Sequence, residues 1–436
     1  MTLPAARPSL TRRDFAQAGA ALATAAASLS ATTSLPAGAA SPDARPLRLG
    51  VIGCGGRGTG AIDNSLSVNE GVELVAAADV NGRNCEKLWK TMRQAHPGKV
   101  AASDTSHVGL DGYKQLLDNP TIDVVLITSP PGFHPIHGRA AVAAGKHVFL
   151  EKPACVDPAG YRICLAAHDE AVARGTAIVC GTQYRRQVNY AAAVDQIRKG
   201  VIGDVIAATA RYCTTGIWYR SRTAGMSDAE YQMTNWYHFV WLSGDQILEQ
   251  GVHNLDLINW VMGSNPVSAF GSGGRFARPA DSELWDSFSV DYEYPGDRFV
   301  SFTSRHLPGT ASDVGNTIHG SHGTCHIGAA NAGSRIVDRA GKVAWEMKGS
   351  IADAYKQEHK DLIDSIRAGQ PIVELRQMAE SSLVGVMGRL AAYTGQKVTW
   401  KFVSEQSTLD LFPPDLTLES TLPPTGFAVP GKTKLG

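Results

Sequence analysis

The chain has 436 residues, of which 43% are hydrophobic and 19% charged, the composition of an ordinary globular protein. At roughly 150 residues per domain, this length predicts two or three domains. The 41 basic and 41 acidic residues cancel, so the chain lacks the overall field that favours nucleic acid or an anionic membrane surface. We expect neither as a partner.

The seven cysteines are scattered along the chain, and none forms a C-x-x-C pair. An odd count without paired spacing argues against a disulfide framework and against a zinc site. We therefore predict no metal site, and we expect most of these thiols to behave as small buried apolar groups.

Residues 1–39 have the pattern of a twin-arginine export signal. Arg12 and Arg13 precede an uncharged segment rich in Ala, Ser and Thr, which closes on the small residues 37–39. The paired arginines and the weak hydrophobicity favour the twin-arginine route, and the segment is too weakly apolar to span a bilayer comfortably. Gln17 departs from the pattern, because such signals often carry Lys at that position.

A glycine-rich turn follows the first predicted strand, residues 47–52. The turn, residues 53–58 (GCGGRG), leads into a helical segment. In a G-x-G-x-x-G, Gly53 permits a tight turn, Gly55 lets a pyrophosphate approach the backbone, and Gly58 allows close packing of helix on strand. The free N–H groups of the next helix would face the phosphates, which indicates a dinucleotide site.

Asp79 ends the second predicted strand, about 20 residues beyond the last glycine, where a carboxylate reads a ribose 2′-hydroxyl. This carboxylate favours NAD, because it would repel the 2′-phosphate of NADP. Arg83 lies close enough in sequence to offset that repulsion, so NADP stays an alternative.

Further strands over 123–128, 147–150 and 177–180 alternate with helices, which predicts a doubly wound parallel Rossmann sheet over residues 45–182. Ligands bind at the carboxyl ends of such strands. The residues that we expect to contact the cofactor are Gly53, Gly55, Arg57, Gly58, Asp79, Thr128, Pro130, His134, Glu151 and Lys152.

Residues 183–400 predict a second α/β domain with a large, open, mainly antiparallel sheet, because most of its strand-like runs alternate apolar and polar residues. The predicted strands are 204–212, 267–276, 285–294, 298–304, 314–319, 324–327 and 343–347. The predicted helices lie near 188–199, 246–262, 355–368 and 376–393. The tail, residues 401–436, is rich in Pro and Thr and is expected to wrap the surface or to contact another subunit.

Together, residues 53–58, Asp79, Glu151-Lys152-Pro153 and Glu249-x-x-x-His253-x-x-Asp256 resemble the glucose–fructose oxidoreductase / inositol dehydrogenase / MocA (Gfo/Idh/MocA) family, over about residues 47–400. The resemblance implies a substrate domain for sugars, cyclitols or their derivatives, and homo-oligomers built through its sheet. Two features depart from the family's pattern: the family commonly has Asp where this chain has Glu249, and the usual triple glycine before that position is missing.

Three residues carry the expected chemistry, the removal of a proton that accompanies hydride transfer from a secondary alcohol. Lys152 would bind the substrate oxygen and stabilise a developing alkoxide. His253 is the candidate general base, and Glu249 would orient its imidazole if both lie on one helix. The alternatives are a solvated lysine and a structural histidine; a metal pair lacks a third ligand at suitable spacing.

Four further residues are candidate substrate contacts: Tyr184, Arg185, Trp236 and Asp256. Tyr184 and Arg185 follow a strand end and could equally be a surface pair. Trp236 belongs, with Trp218 and Tyr237, to an aromatic segment that could stack on a sugar, or form the core of a loop or a subunit interface. Asp256 is expected to hold a sugar hydroxyl.

The first predicted function is an NAD(P)-dependent oxidoreductase that transfers hydride between a sugar, cyclitol or glycoside secondary alcohol and its cofactor. The alternative is a redox-neutral glycosidase resembling the NAD-dependent α-N-acetylgalactosaminidases, whose branch the run Tyr355-x-x-Glu358-His359 also resembles. A non-catalytic binding protein is disfavoured by the presence of both Lys152 and His253.

Export bears on how the cofactor would be held. The twin-arginine machinery carries folded proteins, so it would be a transient partner and the mature protein would be periplasmic or secreted. Since that space maintains no pool of NAD(P), we expect the cofactor to be tightly bound and regenerated within the enzyme's own cycle.

Overall fold

Six parallel strands form the first sheet of the computed structural model, which describes residues 45–423 and 425–436. The predicted export signal lies outside these residues. The strands are β1 (Leu47–Ile52), β2 (Val72–Asp79), β3 (Ser106–Val108), β4 (Val124–Ile127), β5 (His147–Leu150) and β6 (Ile178–Cys180). Their spatial order is β3-β2-β1-β4-β5-β6, which confirms the Rossmann prediction and places the topological switch point between β1 and β4.

Helices cover both faces of this sheet, as its apolar strands require; every residue of β4 is buried. The helices are α1 (Gly56–Val68), α2 (Gly82–Ala95), α3 (Gly112–Leu117), α4 (His134–Ala143) and α5 (Pro158–Arg174). Helix α5 shows how local sequence sets its ends: the Asp157 side chain accepts from Gly160 N, and Gly175 adopts the left-handed conformation that ends the helix.

Nine strands form the second sheet, in the order β14-β13-β12-β11-β7-β10-β9-β8-β15. They are β7 (Val205–Thr214), β8 (Ser268–Gly274), β9 (Ser287–Tyr294), β10 (Arg298–His306), β11 (Asp313–Gly320), β12 (Gly323–Gly328), β13 (Ser334–Asp338), β14 (Val343–Met347) and β15 (Val398–Thr399). Strands β7 and β10 pair in parallel and the other pairs are antiparallel, so the sheet is mainly antiparallel, as predicted.

The remaining helices are α6 (Gln183–Arg186), α7 (Val188–Arg198), α8 (Asp228–Thr234), α9 (Val240–Ser243), α10 (Gln246–Glu249), α11 (Val252–Met262), α12 (Ile351–Arg367) and α13 (Leu375–Thr394). Helix α13 packs on one face of the second sheet, where the hydroxyl of Tyr292 donates to Val384 O. Helix α12 returns to pack against α1 of the first sheet. One continuous core therefore joins the two sheets.

Two sequence predictions are wrong in detail. The strands β3, β13 and β15 are not among the predicted ones, because each is only two to five residues long. The predicted helix near 246–262 is interrupted after Glu249. A Cβ at Gly251 would lie 2.2 Å from Ile247 O and 2.7 Å from Cζ of Phe302, so the chain turns there to approach β10 closely.

The segment after residue 407 runs along the surface of the molecule. Leu411 N donates to Asp157 Oδ2, and Leu411, Phe412 and other apolar tail residues pack beside Phe133 and Trp241. All seven cysteine side chains are buried. Within the described ranges, no helix is long and apolar enough to cross a membrane.

Candidate active site

The glycine turn between β1 and α1 is fixed by close packing on one side and open on the other. Gly53 has a φ of +91°, and a Cβ there would lie 2.6 Å from Ser129 N. A Cβ on Gly58 would lie 1.9 Å from Gly53 O, which itself accepts from Thr128 Oγ1 at 2.6 Å. Nothing lies within 4 Å of a Cβ built on Gly55. This open side fits a pyrophosphate lying against the backbone.

The carboxylate of Asp79 is held at the carboxyl end of β2 beside that turn. Its Oδ2 accepts from Cys54 N at 2.6 Å, and its Oδ1 accepts from Asn81 N at 2.8 Å and from Asn84 Nδ2 at 3.1 Å. A carboxylate has about four acceptor positions, so one is left for a ribose hydroxyl. Arg83 is exposed. The residues of this edge therefore fit a dinucleotide.

Arg57 links the glycine turn to two other elements. Its guanidinium donates to Glu151 Oε1 after β5 and lies 3.3 Å from Glu358 Oε1 on α12, above the ring of Tyr355 at 5.0 Å. Burial opposes the charge, but both carboxylates raise the pKa of Arg57. Arg57 and Glu151, both predicted as cofactor contacts, are thus bound to each other.

Two other predicted cofactor contacts, Pro130 and His134, shape the turn after β4. Pro130 precedes a short 3-10 helix, Pro131–Phe133. The buried His134 ring lies 2.7 Å from Ser129 O and 2.7 Å from Pro153 O, so it joins the turns after β4 and β5.

Lys152 follows β5 and reaches across to the second half of the chain. Its ammonium donates to Oε1 of Glu249 at 2.7 Å and to Glu249 O at 2.5 Å. The two side chains are 12% and 9% exposed. Glu249 is the last residue of α10, so the ammonium also sits at the negative end of that short helix.

His253, in the first turn of α11, lines a small pocket together with Lys152, Tyr184 and Asp256. Its ring meets Tyr184 edge to face, with centroids 5.3 Å apart. Burial, helped by the charge of Lys152, holds the pKa of His253 well below its usual range. The imidazole is therefore neutral near pH 7 and has a nitrogen free to accept a proton.

The expectation that Glu249 orients His253 needs correction. Because the helix breaks at Gly251, the carboxylate of Glu249 turns to Lys152 instead. Its role is to hold the lysine ammonium, while His253 packs against Tyr184.

Arg185 and Asp256 form a buried ion pair, with two hydrogen bonds of 2.7 and 2.8 Å. Ser381 Oγ also donates to Asp256 Oδ1 at 2.8 Å, so both carboxylate oxygens are already engaged. The hydroxyl of Tyr184 accepts from Ala330 N at 3.1 Å. The substrate contacts predicted for Tyr184, Arg185 and Asp256 stay predictions. In the structure, the carboxylate of Asp256 binds the guanidinium of Arg185.

Trp236 is not among the residues that line this pocket. It lies in an aromatic group with Trp218 and Tyr237, at centroid distances of 6.2 and 5.4 Å. It packs at the edge of the apolar cluster that contains Phe133 and Trp241. For Trp236 itself, this placement favours the loop-core interpretation.

Sequence reasoning missed three polar residues on the neighbouring strands β7 and β10, namely Tyr212, Ser304 and His306, and it singled out Tyr237 only as part of the aromatic segment. The sequence did hold a signal for two of them: Ser304 and His306 are polar at alternate positions near the end of β10, where buried side chains are normally apolar. Among the described residues, no cluster of three or more His, Cys, Asp or Glu side chains could hold a metal ion.

The strand order, the glycine turn and the acid that ends β2 define the class: an oxidoreductase with a nicotinamide-dinucleotide fold. Residues 47–175 match the family model described as "Oxidoreductase family, NAD-binding Rossmann fold", and residues 190–326 match the GFO/IDH/MocA C-terminal domain. The chain belongs to the Gfo/Idh/MocA family.

Several relatives are similar along most of their length. The inositol 2-dehydrogenase of Acidothermus cellulolyticus is 24% identical over 75% of this chain and 86% of its own. The myo-inositol 2-dehydrogenase of Thermotoga maritima is 24% identical over 80% of this chain and 96% of its own.

Solved structures share the fold. The myo-inositol 2-dehydrogenase of Lactobacillus plantarum superposes with a TM-score of 0.63 at 20% identity, covering 81% of this chain and 99% of that one. A levoglucosan dehydrogenase in complex with NADH and levoglucosan gives a TM-score of 0.63 at 16% identity, with the same two coverages.

Proposed function

We propose that this chain is an NAD-dependent dehydrogenase acting on a ring secondary alcohol of a cyclitol, sugar or glycoside. The observation that carries the proposal is the Lys152 ammonium, held by Glu249 beside a neutral His253 at the carboxyl edge of the first sheet. The inositol and levoglucosan dehydrogenases among its relatives support this substrate class. They give no support to the alternative glycosidase.

Each residue of the site has a distinct task. The Gly53–Gly58 turn and Asp79 would hold the dinucleotide, which when bound supplies a hydride acceptor. Lys152 Nζ donates a hydrogen bond to the substrate oxygen and stabilises negative charge as it develops there. The neutral imidazole of His253 accepts the hydroxyl proton. Glu249 keeps the ammonium from turning away, because it binds Nζ through both its side chain and its carbonyl.

We further propose that NAD is used rather than NADP, that it is retained between turnovers, and that the enzyme works outside the cytoplasm after twin-arginine export. The Asp79 carboxylate supports the first point, and the pattern of residues 1–39 supports the others. Homo-oligomers are proposed as well, since strands of the second sheet expose Ile206, Phe270 and Phe299.

A cofactor titration tests the proposed function. The protein is purified without added nucleotide, and absorbance in the reduced-nicotinamide band is followed while NAD, cyclitols, sugars and aryl glycosides are added in turn. We expect the band to rise with a cyclitol or sugar and to fall when a carbonyl acceptor follows. Release of the aryl group without any lasting band would contradict the proposal and indicate redox-neutral cleavage.

A further inference from the structure

Unpartnered polar atoms gather beside the Lys152–Glu249 pair. Among the described residues, the hydroxyls of Tyr237 and Ser304, both ring nitrogens of His306 and Oε2 of Glu249 are buried without a hydrogen-bond partner. Their residues are 3%, 0%, 2% and 7% exposed, in that order. Burying a polar atom unpaired is costly, so several such atoms in one place indicate a polar ligand.

The sheet register places these side chains together. Strands β7 and β10 are parallel neighbours, with Ser304 opposite Tyr212. Alternation along β10 puts His306 on the same face as Ser304. The His306 ring lies 6.3 Å from that of Tyr212 and 6.2 Å from that of Tyr237, measured between centroids.

Glu249 connects this group to the reaction centre. The turn after α10 lies against Phe302, which faces the same side of β10 as Ser304. Burial raises the pKa of Tyr237 well above its usual range, and the Glu249 carboxylate adds to the effect. The same two causes raise the pKa of Tyr212. Oε1 of Glu249 therefore holds Lys152, while Oε2 of the same carboxylate has no hydrogen-bond partner.

A neighbouring histidine behaves differently. His238 follows Tyr237 directly and is equally buried, yet its ring nitrogens lie 2.9 Å from Ser282 Oγ and 2.8 Å from Trp218 O. Both ring nitrogens of His238 therefore have hydrogen-bond partners, as expected of a structural histidine, whereas those of His306 have none.

We propose that Tyr237, Ser304 and His306, together with Oε2 of Glu249, bind the hydroxyl groups on the part of the substrate ring remote from the reacting carbon. The inference rests on the proposed function and deepens it. Two hydroxyls and a neutral imidazole can each donate and accept, as the hydroxyls of a polyol do. The cations nearest this group, Lys152 and Arg278, are already paired with Glu249 and Asp286. The site therefore favours an uncharged polyhydroxylated ring over a phosphorylated or carboxylated sugar.

Steady-state kinetics on the full chain with NAD tests this, with myo-inositol and its monodeoxy analogues as probes. We expect Tyr237→Phe, Ser304→Ala and His306→Gln each to raise KM about three- to tenfold with little change in kcat. Each variant should also lose discrimination against one particular deoxy analogue. Tyr294→Phe is the matched control, since that buried hydroxyl binds Asn259 and should leave both parameters unchanged.

The outcomes separate this proposal from the proposed function. If wild-type protein oxidises myo-inositol but does not discriminate against any monodeoxy analogue, the site is wrong while the function stands; this comparison needs no variant to fold. The proposed site would also be wrong if the three variants unfold at the wild-type temperature and yet keep the wild-type KM and the wild-type preference among the deoxy analogues. If no polyol reduces NAD in wild type, both proposals fall.

Discussion

Lys152 and Glu249 form a buried ion pair that ties the first sheet to the second half of the chain, with Nζ 2.7 Å from Oε1. Lys152 follows β5, whereas Glu249 ends a helix that leans on β10. The position of the ammonium therefore depends on how the two sheets pack together, and neither half fixes it alone.

Lys152→Met should lower kcat by about 10²- to 10⁴-fold, because the developing alkoxide loses its donor. NADH affinity, measured by fluorescence titration, should fall far less than kcat, because the Gly53–Gly58 turn and Asp79 still hold the dinucleotide. Lys114→Met is the control: this lysine is 58% exposed and pairs with Asp111. A Lys152→Met enzyme with near wild-type kcat would remove Lys152 from the chemistry.

Glu249→Gln should destabilise the protein by as much as about 3–5 kcal/mol, since it leaves a buried ammonium without its countercharge. Urea unfolding measures the change. The double variant Lys152→Met/Glu249→Gln should recover most of the loss, because no charge then stays unpaired. Additive losses in the double variant would show that the pair contributes no coupling energy.

Asp79→Ser should shift the ratio of kcat/KM for NAD over that for NADP toward NADP by about ten- to hundredfold. The variant removes the repulsion of a 2′-phosphate and leaves Arg83 exposed nearby. Initial rates with each cofactor give the ratio, and Glu73→Gln, on the same strand, serves as a control. An unchanged ratio would mean that Asp79 does not read the ribose.

Acid should weaken the fold partly through His306. Burial, with a smaller effect of Arg278, lowers its pKa from 6.5 to about 3. Below pH 6.5 the unfolded chain takes up a proton that the folded chain does not, so the free energy of unfolding falls as pH drops from 6.5 toward 3. One such group contributes up to about 1.4 kcal/mol per pH unit.

His306→Gln should therefore unfold with a shallower pH dependence than wild type in urea titrations over this range. The same substitution at exposed His322 is the control and should leave the slope unchanged. An identical slope in both variants would show that folding does not lower the pKa of His306.

The parts of the site that lie close together in sequence could be predicted from it. Three parts of the site lie at the ends of strands: the turn from Gly53 to Gly58, Asp79 and Lys152. Parallel strands bring their carboxyl ends to one edge of the sheet. Their placement needed only the strand order, which the alternation of strands and helices implied.

The rest depends on contacts between distant segments. The break at Gly251, which sends Glu249 to Lys152, arises from the approach of Phe302 on another element. Tyr237, Ser304 and His306 meet through the pairing of β7 with β10 and the fold of a separate loop. The hydrophobic pattern of a single segment does not show which distant residues that segment will contact.

The most direct test of the proposed dehydrogenase activity is to follow the hydride from the substrate ring to the nicotinamide. A single turnover is run with NAD and the polyol that reduces it fastest, deuterated at its ring carbons, and the nucleotide is then analysed by mass spectrometry. We expect one deuterium in the reduced nicotinamide, formed more slowly than with unlabelled substrate, and almost no product from Lys152→Met. Reduced cofactor without deuterium, or an equally fast Lys152→Met enzyme, would contradict it.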